Sequence, residues 1–258
     1  SYVYGEGVLK NPEMAVAWYR MAAEQENIDA QYAMGLAYYI GEGVQEDPAI
    51  AVAWLKKAAA KGDSYAQTIL GDAYYKGKGV LKDPKASVIW YKKAAEQGNS
   101  EAQKMLGLAY YTGEGISKNF LKSSMWFEQS AEQGNVFAQC FIGDAYNTGE
   151  GVPKNPRTAV EWYKKAAEQG SSYAQTQLGN AYYNGNGVLK NPKTAIKWFK
   201  KAAEQENSDA QYKLGLLYYS GIGVSINERL AKKYIFESYN NGNEQAAKAW
   251  EDLELWKY

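Results

Sequence analysis

The chain repeats itself with a period of 36 residues from one end to the other. A fixed period of this length is typical of repeat architectures, in which one unit cannot close a hydrophobic core and must stack on its neighbours. The period shows no register shift, so we expect a stack of similar modules. Its two clearest markers are a Gly-x-Gly pair at 5/7, 41/43, 77/79, 113/115, 149/151, 185/187 and 221/223, and an aromatic residue at Trp18, Trp54, Trp90, Trp126, Trp162, Trp198 and Tyr234.

The second half of each repeat carries helix signals, and we call this segment helix B. An Asn or Asp followed by Pro, as at Asp83 and Pro84, supplies an N-cap and a first-turn proline with a favourable φ. The segment runs about fourteen residues to a glycine suited to a left-handed C-terminal cap, such as Gly98. Apolar residues recur at helical spacing, which predicts one buried stripe. In one repeat these residues are Ala159, Trp162, Tyr163, Ala166 and Ala167.

The first half of each repeat predicts another helix, helix A. Ala30, Met34, Gly35 and Tyr38 form one stripe at helical spacing, and the small residues there are expected to let backbones approach closely. The Gly-x-Gly turn then reverses the chain into helix B. The sequence therefore predicts an all-α, right-handed α-solenoid of stacked antiparallel αα-hairpins, with seven helices of each kind.

The ends of the chain are expected to differ from its middle. We expect a single solenoid over 1–258 with about seven repeats, the first of them truncated at 1–28. Tyr2 aligns with Tyr38 and no initiator Met is present, which indicates that upstream sequence has been removed. Glu251 and Glu254 replace an expected Gly and Tyr, so 243–258 is predicted to be a capping helix with one wet face.

Composition excludes most catalytic designs. The chain has no histidine, which removes Ser-His-Asp and Cys-His machinery and histidine-bound zinc, and its one cysteine, Cys140, cannot form a thiolate metal cluster. The carboxylates Asp72 and Asp144 lie two repeats apart, about twice 8–10 Å or more, and neither shows a sequence partner that would raise its pKa. We therefore expect no enzyme, no cofactor and no metal site.

Charge and hydropathy limit the classes of partner that we expect this chain to bind. Lys and Arg number 29, as do Asp and Glu, so no field of one sign favours nucleic acid. No apolar run approaches the roughly eighteen residues of a membrane helix, so membrane insertion is not expected. A protein partner is the main expectation, a glycan is possible, and the chain is expected to be a monomer.

The unit A-Q-x-x-L-G-x-A-Y-Y-x-G-x-G-V-x-K-[ND]-P-x-x-A-x-x-W-Y-x-K-A-A-E-Q-G resembles the Sel-one-like repeat, a cousin of the tetratricopeptide repeat. The resemblance covers the whole chain. It implies a non-catalytic adaptor, in a family where many bacterial members are exported and some are immunity proteins against toxins. A periplasmic or secreted location is therefore favoured over a cytoplasmic one. The pattern is broken at Glu26, Glu206 and Phe120, and the paired cysteines of some members are absent.

Positions that vary between repeats indicate the surface left free for a partner. In helix A these are residues 29, 32, 36, 39 and 40 and their equivalents, which line the concave groove if the resemblance to tetratricopeptide arrays holds. The fourth position forms a ladder of tyrosines, which either bind a partner or only fill space between helices. The expected partner-binding residues are Tyr39, Tyr75, Tyr111, Tyr183, Tyr219, Asp72, Lys104, Leu108, Asp144, Asn147, Asn180 and Phe137.

The recurring tryptophans are interpreted differently, as core packing rather than as an aromatic cage. The apolar substitutions near Phe137 and Cys140 indicate either local repacking or a hydrophobic contact point. Three functions remain open: an interaction scaffold that binds a protein in its concave groove, an immunity or inhibitor protein that neutralises a toxin or hydrolase, and a glycan- or peptidoglycan-binding module. The scaffold is the favoured interpretation.

Overall fold

The computed structural model describes residues 11–252, and in that range every regular element is an α-helix. Fourteen helices lie there, alternating between the two predicted kinds: odd-numbered helices are of type B and even-numbered helices are of type A. The all-α repeat fold is therefore confirmed. The predicted turn at Gly5 and Gly7, the alignment of Tyr2 and the cap residue Glu254 lie outside the described residues.

The chain divides into two compact units, and the first covers residues 1–135. Within it each A helix packs most extensively against the B helix that follows, and less against the B helix before it. A stack of helical hairpins results. Its helices are α1 (Pro12–Glu24), α2 (Ile28–Ile40), α3 (Pro48–Ala60), α4 (Ser64–Lys76), α5 (Pro84–Glu96), α6 (Ser100–Thr112) and α7 (Phe120–Glu132).

The second unit covers residues 136–258 and is built by the same rule. Three hairpins follow one another, and the last helix packs against the B helix of the third. Its helices are α8 (Val136–Thr148), α9 (Pro156–Glu168), α10 (Ser172–Asn184), α11 (Pro192–Ala203), α12 (Ser208–Ser220), α13 (Glu228–Asn240) and α14 (Glu244–Asp252).

The B helices begin where the Asn-Pro and Asp-Pro pairs predict. The Asp83 side chain accepts hydrogen bonds from the backbone N–H groups of Lys85 and Ala86, at 3.0 and 3.1 Å, and so satisfies two donors of the first turn. Helix α7 begins without a proline at Phe120. Its cap is retained, because the Asn119 side chain accepts from the Lys122 N–H at 2.9 Å.

The two glycines of each Gly-x-Gly turn have different roles. Gly77 ends α4 in the left-handed region, at φ 75°. Gly79 also has a positive φ, and a β-carbon there would overlap the carbonyl oxygen of Pro48. The second glycine therefore lets the turn approach the first turn of the preceding B helix.

Except after Trp18, the residue that follows each recurring aromatic is a core position, and it is buried more deeply than the aromatic itself. Opposite it lies the helix A glycine: a β-carbon at Gly71 would overlap the ring of Tyr91. The glycine therefore makes room mainly for a side chain of helix B. The sequence-based expectation was a close approach of two backbones, and it is corrected here. The equivalent buried residues are Leu55, Tyr91, Phe127, Tyr163, Phe199 and Ile235.

The tryptophans pack at the margins of these cores. Trp90 is half-buried and packs against the cluster formed between α3 and α4, and Trp126 does the same at the next cluster. Trp162 is buried, whereas Trp18 is 56% exposed. Several tryptophans carry a lysine over the ring, as Lys165 does 3.7 Å from the Trp162 centroid. A packing role fits these contacts, at a shallower depth than the repeat pattern predicts.

Candidate functional site

A groove of about 590 Å³ lies along the A helices of the first unit. Helices α2, α4 and α6 line it, together with the turns that follow α5 and α7. Tyr65 and Glu101 occupy the repeat position of residue 29, Tyr32 and Thr68 occupy position 32, and Asp72 occupies position 36. The groove is thus lined by three of the variable positions that the internal comparison selected.

Two tyrosines form the aromatic part of this groove. The rings of Tyr32 and Tyr65 are tilted by 44°, with their centroids 6.1 Å apart. Tyr65 is 64% exposed, so most of its ring is accessible to a partner. Burial, with a smaller contribution from the charge of Asp63, raises the pKa of Tyr32. The pair offers a rigid aromatic surface with hydroxyl tips.

The charged groups of the groove are already partly paired. The Tyr91 hydroxyl donates to Asp72 at 2.5 Å, and the Lys76 ammonium lies 3.9 Å from the same carboxylate. Burial, together with the hydrogen bond to Asp72, raises the pKa of Tyr91. Lys104 forms an ion pair with Glu101. The predicted residues Asp72 and Lys104 therefore lie close to the groove, fixed by contacts within their own repeats.

In the second unit the equivalent carboxylate has a different environment. Asp144 accepts hydrogen bonds from the Tyr163 hydroxyl at 2.7 Å and from the Tyr173 hydroxyl at 2.9 Å. Burial raises the pKa of Asp144, and the two phenol hydrogen bonds oppose that rise. This differs from the sequence argument, which found no cause for a raised pKa. Burial also raises the pKa of the Cys140 thiol, as expected for an inert buried cysteine.

The tyrosine ladder lies beside the interhelix turns, outside the lining of the 590 Å³ groove. Lys78 lies 4.2 Å from the Tyr39 ring centroid, and its ammonium donates to the Tyr39 carbonyl at 2.9 Å. The Tyr75 hydroxyl donates to Glu114 at 3.0 Å, and that hydrogen bond raises the Tyr75 pKa. Both rings are half-buried, and the Tyr75 hydroxyl faces a residue of the turn that follows α6.

The other three ladder tyrosines differ in their neighbours and in their exposure. Tyr111 packs on Phe120, with centroids 5.4 Å apart, and Tyr183 has the Lys190 ammonium 5.9 Å from its ring centroid. Tyr219 is exposed. None of these five rings is wholly enclosed, so each has surface that a partner can reach.

The remaining predicted residues lie in separate places. Leu108 lines a small cavity with Tyr75 in the first unit, whereas Asn147 and Asn180 line a larger cavity in the second. Phe137 is 52% exposed and stacks on Phe141 at 6.5 Å. The structure therefore divides the predicted residues between several surfaces.

Sequence reasoning missed a row of buried glutamines at the start of the A helices. Gln67 donates to the Ala59 carbonyl at 3.1 Å and accepts from Gln97 at 2.8 Å. The equivalent Gln103 and Gln133 repeat the arrangement, at 2.7 Å. The repeat pattern contains both kinds of glutamine, one in A-Q, as at Gln67, and one in A-E-Q-G, as at Gln97. The pattern does not show that the two side chains bond to each other, because they stand 30 residues apart in sequence.

Sequence reasoning also left Tyr32, Tyr65 and Glu101 out of the expected site. The signal was present, since position 29 varies as Asp29, Tyr65, Glu101, Phe137, Tyr173 and Asp209. Across residues 11–252, no three Cys, Asp or Glu side chains lie close enough together to hold one metal ion. Within the same range, no helix combines the length and the apolar character needed to cross a bilayer.

Comparison with protein families matches the Sel1 repeat to seven consecutive segments: residues 1–27, 28–63, 64–99, 100–135, 136–171, 172–207 and 208–243. A comparison with curated proteins finds no match. Among solved structures, a protective antigen of uropathogenic Escherichia coli with an SLR fold is 38% identical, with a TM-score of 0.91. That match covers 95% of this chain and 52% of the antigen, so the chain spans about half the length of that relative.

A Sel1 repeat protein from Oxalobacter formigenes is 35% identical, with a TM-score of 0.77. The match covers 84% of both chains. The similarity therefore extends over most of this chain in both comparisons.

Proposed function

Because the chain belongs to the Sel1 repeat family, whose members are protein-interaction scaffolds, we propose that it binds a partner protein through the groove of its first unit. The family is generally non-catalytic, and we propose the same of this chain. The observation that carries the proposal is the lining of the groove. Tyr65, Asp72 and Glu101 stand at positions that vary between repeats, and they face a space of about 590 Å³.

The groove has the properties of a protein-binding surface. Tyr65 presents a large ring with few rotatable bonds, so little conformational entropy is lost when a partner covers it. The neighbouring Ser64, Ser100 and Asn99 supply hydrogen-bonding groups around that ring. An aromatic anchor within a polar rim is the usual arrangement of an interaction hot spot.

In this proposal the ladder tyrosines of the first unit, Tyr75 and Tyr111, lie at the edge of the surface. Both are half-buried and lie near lysines, so each ring is already partly used in packing. Substituting Tyr111 by Ala separates the two roles, and Tyr183→Ala applies the same test in the second unit. A loss of partner affinity with an unchanged melting temperature supports binding, and an equal loss of both assigns the rings to packing.

The groove is tested by capture of partners from a native lysate, followed by mass spectrometry. The groove variant carries Tyr65→Ser and Glu101→Gln, and the matched control carries Ile89→Ser, which changes an exposed apolar residue of α5 outside the groove. We expect the wild type and the control to retain the same partner and the groove variant to lose it. Equal capture by all three proteins contradicts the proposal.

A further inference from the structure

Two cavities at equivalent repeat positions differ in size. One lies between α5 and α6 in the first unit and measures about 10 Å³, and the other lies between α9 and α10 in the second unit and measures about 350 Å³. Their shared lining positions are 72 residues apart, so Pro84, Val88 and Tyr91 correspond to Pro156, Val160 and Tyr163. The larger volume therefore comes from the positions at which the two linings differ.

At those positions the smaller cavity is filled by large or apolar side chains. Tyr75 enters it from the preceding A helix, and its hydroxyl donates to Glu114 at 3.0 Å. Met105 packs against the hydrophobic cluster of its hairpin, and Leu108 lies beside it in the lining. This combination leaves almost no free volume.

Amide side chains replace that filling in the second unit. Asn147, Gln177, Asn180 and Asn186 stand where the first unit has Tyr75, Met105, Leu108 and Glu114. Asn147 is also the one break in the tyrosine ladder that the sequence shows. It leaves open the space that a ring fills elsewhere, and Asn186 donates to it at 3.0 Å.

Some polar side chains of this pocket have no hydrogen-bond partner within the described part of the protein. Asn180 and Asn184 make no side-chain hydrogen bond to any residue in 11–252, although both line the cavity. Lys213 also lines it and has no carboxylate partner in the same range. The lining thus offers donors, acceptors and one positive charge, with no acidic residue among its members.

This chemistry matches a peptide better than a sugar. A side-chain amide donates and accepts at once, which complements the N–H and C=O groups of an extended peptide main chain. The ring in the lining, Tyr163, is only 3% exposed and cannot stack on a sugar face. Lys213 adds a preference for a carboxylate. The volume of 350 Å³ lies within the usual size range of ligand pockets.

We propose that the amide-lined pocket between α9 and α10 binds a peptide segment that carries an acidic side chain. The amides hold the peptide main chain, and Lys213 pairs with the Asp or Glu side chain. The inference rests on the proposed function as an interaction scaffold, because the segment would belong to a protein partner. It adds a second binding site with a stated ligand chemistry, in a different unit from the groove.

The protein itself supplies the variant that tests this site. Asn147→Tyr, Gln177→Met, Asn180→Leu and Asn186→Glu together rebuild the filling seen in the first unit, so the fold should tolerate them. A second variant, Lys213→Gln, removes only the positive charge. Each variant is first checked against the wild type by thermal unfolding.

The probe is a displayed library of random heptapeptides selected on the wild-type protein, and recovered peptides are titrated by calorimetry. We expect acidic peptides, whose affinity falls about tenfold or more in the filled variant and severalfold in Lys213→Gln. The groove variant Tyr65→Ser with Glu101→Gln should bind them as the wild type does. If the filled variant does not fold, the Lys213→Gln titration alone decides the test.

Three outcomes overturn the inference. They are a selection that yields no peptide, recovered peptides that bind the filled and Lys213→Gln variants as well as the wild type, and binding of the neutral sugar chitotriose to this pocket in place of peptides. None of them decides the proposed function, which is tested by capture from lysate. If the peptides lose affinity only for the groove variant, the result supports the groove as their binding site and contradicts the inference about the amide-lined pocket.

Discussion

The Tyr163 hydroxyl donates a hydrogen bond to the Asp144 carboxylate at 2.7 Å, across a separation of 19 residues. The first unit contains the same pair, with Tyr91 donating to Asp72 at 2.5 Å. Three other repeats place an apolar pair at these two positions: Leu36 and Leu55, Leu108 and Phe127, and Leu216 and Ile235. One packing site of the repeat therefore accepts either a hydrogen-bonded pair or an apolar pair.

This equivalence predicts a coupled mutational effect. Tyr163→Phe should lower the free energy of unfolding by about 1–2 kcal/mol, because it leaves a half-buried carboxylate with one donor fewer. Adding Asp144→Leu recreates the Leu108–Phe127 pair and should recover most of that loss. Urea denaturation of the single and double variants measures both effects. Additive losses in the double variant would show that the two sites are not interchangeable.

Asp144 also predicts a dependence of stability on pH. Burial raises its folded-state pKa above the ordinary value of 3.8, so the folded protein holds this proton more tightly than the unfolded chain does. The resulting stabilisation is complete below pH 3.8 and is lost as the pH rises through the raised pKa. Relative to the wild type, Asp144→Asn should therefore gain stability between about pH 3 and pH 7. Urea midpoints across that range test this, and a flat or opposite difference would contradict it.

The core positions predict unequal effects for two neighbouring aromatics. Phe199 is buried and Trp198 is half-buried. Phe199→Ala should cost about 3–5 kcal/mol, as for other fully buried aromatics. Trp198→Ala should cost less, which revises the sequence-based expectation for the tryptophans. Chemical denaturation ranks the two variants, and a larger loss at Trp198 would restore the tryptophan as the main core residue.

The strained helix ends predict a stabilising substitution. Glu206 has a φ of 60° where most repeats place glycine. Glu206→Gly should raise the free energy of unfolding by about 1 kcal/mol, because glycine adopts this conformation without a steric cost. Glu204→Gly is the control, since Glu204 has a φ of −61° and gains nothing from the change. Thermal unfolding compares the two variants. Equal changes in their melting temperatures would show that backbone strain at Glu206 is not the cause of the effect.

The glutamine row predicts a second stabilising change. The Gln31 side-chain oxygen is buried and has no hydrogen-bond partner. Lys61 stands where most other repeats have a glutamine, and its ammonium donates instead to the Glu26 carbonyl at 2.7 Å. Lys61→Gln should stabilise the protein by about 1 kcal/mol, whereas Lys61→Met, which supplies no donor, should not. Urea midpoints distinguish them, and equal midpoints would contradict the prediction.

Much of the fold could be predicted because its signals are local. The N-cap at Asp83, the proline after it and the left-handed glycine at Gly77 each define a helix boundary within a few residues of sequence. The 36-residue period adds the stacking, since it repeats every boundary in phase. Phe120 replaces a proline without moving the start of α7, because Asn119 alone supplies the cap.

The candidate site was predicted less completely. Variation between repeats selected the positions that line the groove, yet Tyr65 was left out and Tyr75 was included. Tyr75 lies beside a turn because its hydroxyl bonds to Glu114, 39 residues later. No pattern within one repeat contains that contact. The volume of each cavity likewise depends on several helices at once.

The amino-acid sequence by itself determined the helices, their order and the stack of hairpins, because caps, glycines and apolar periodicity act over a few residues. Only the tertiary structure decided where each variable side chain faces. A helix exposes several positions at its surface, and the neighbouring helix determines which of them it covers. That is why Asp144 became a half-buried acceptor of phenol hydrogen bonds, whereas Asn147 came to line an open pocket.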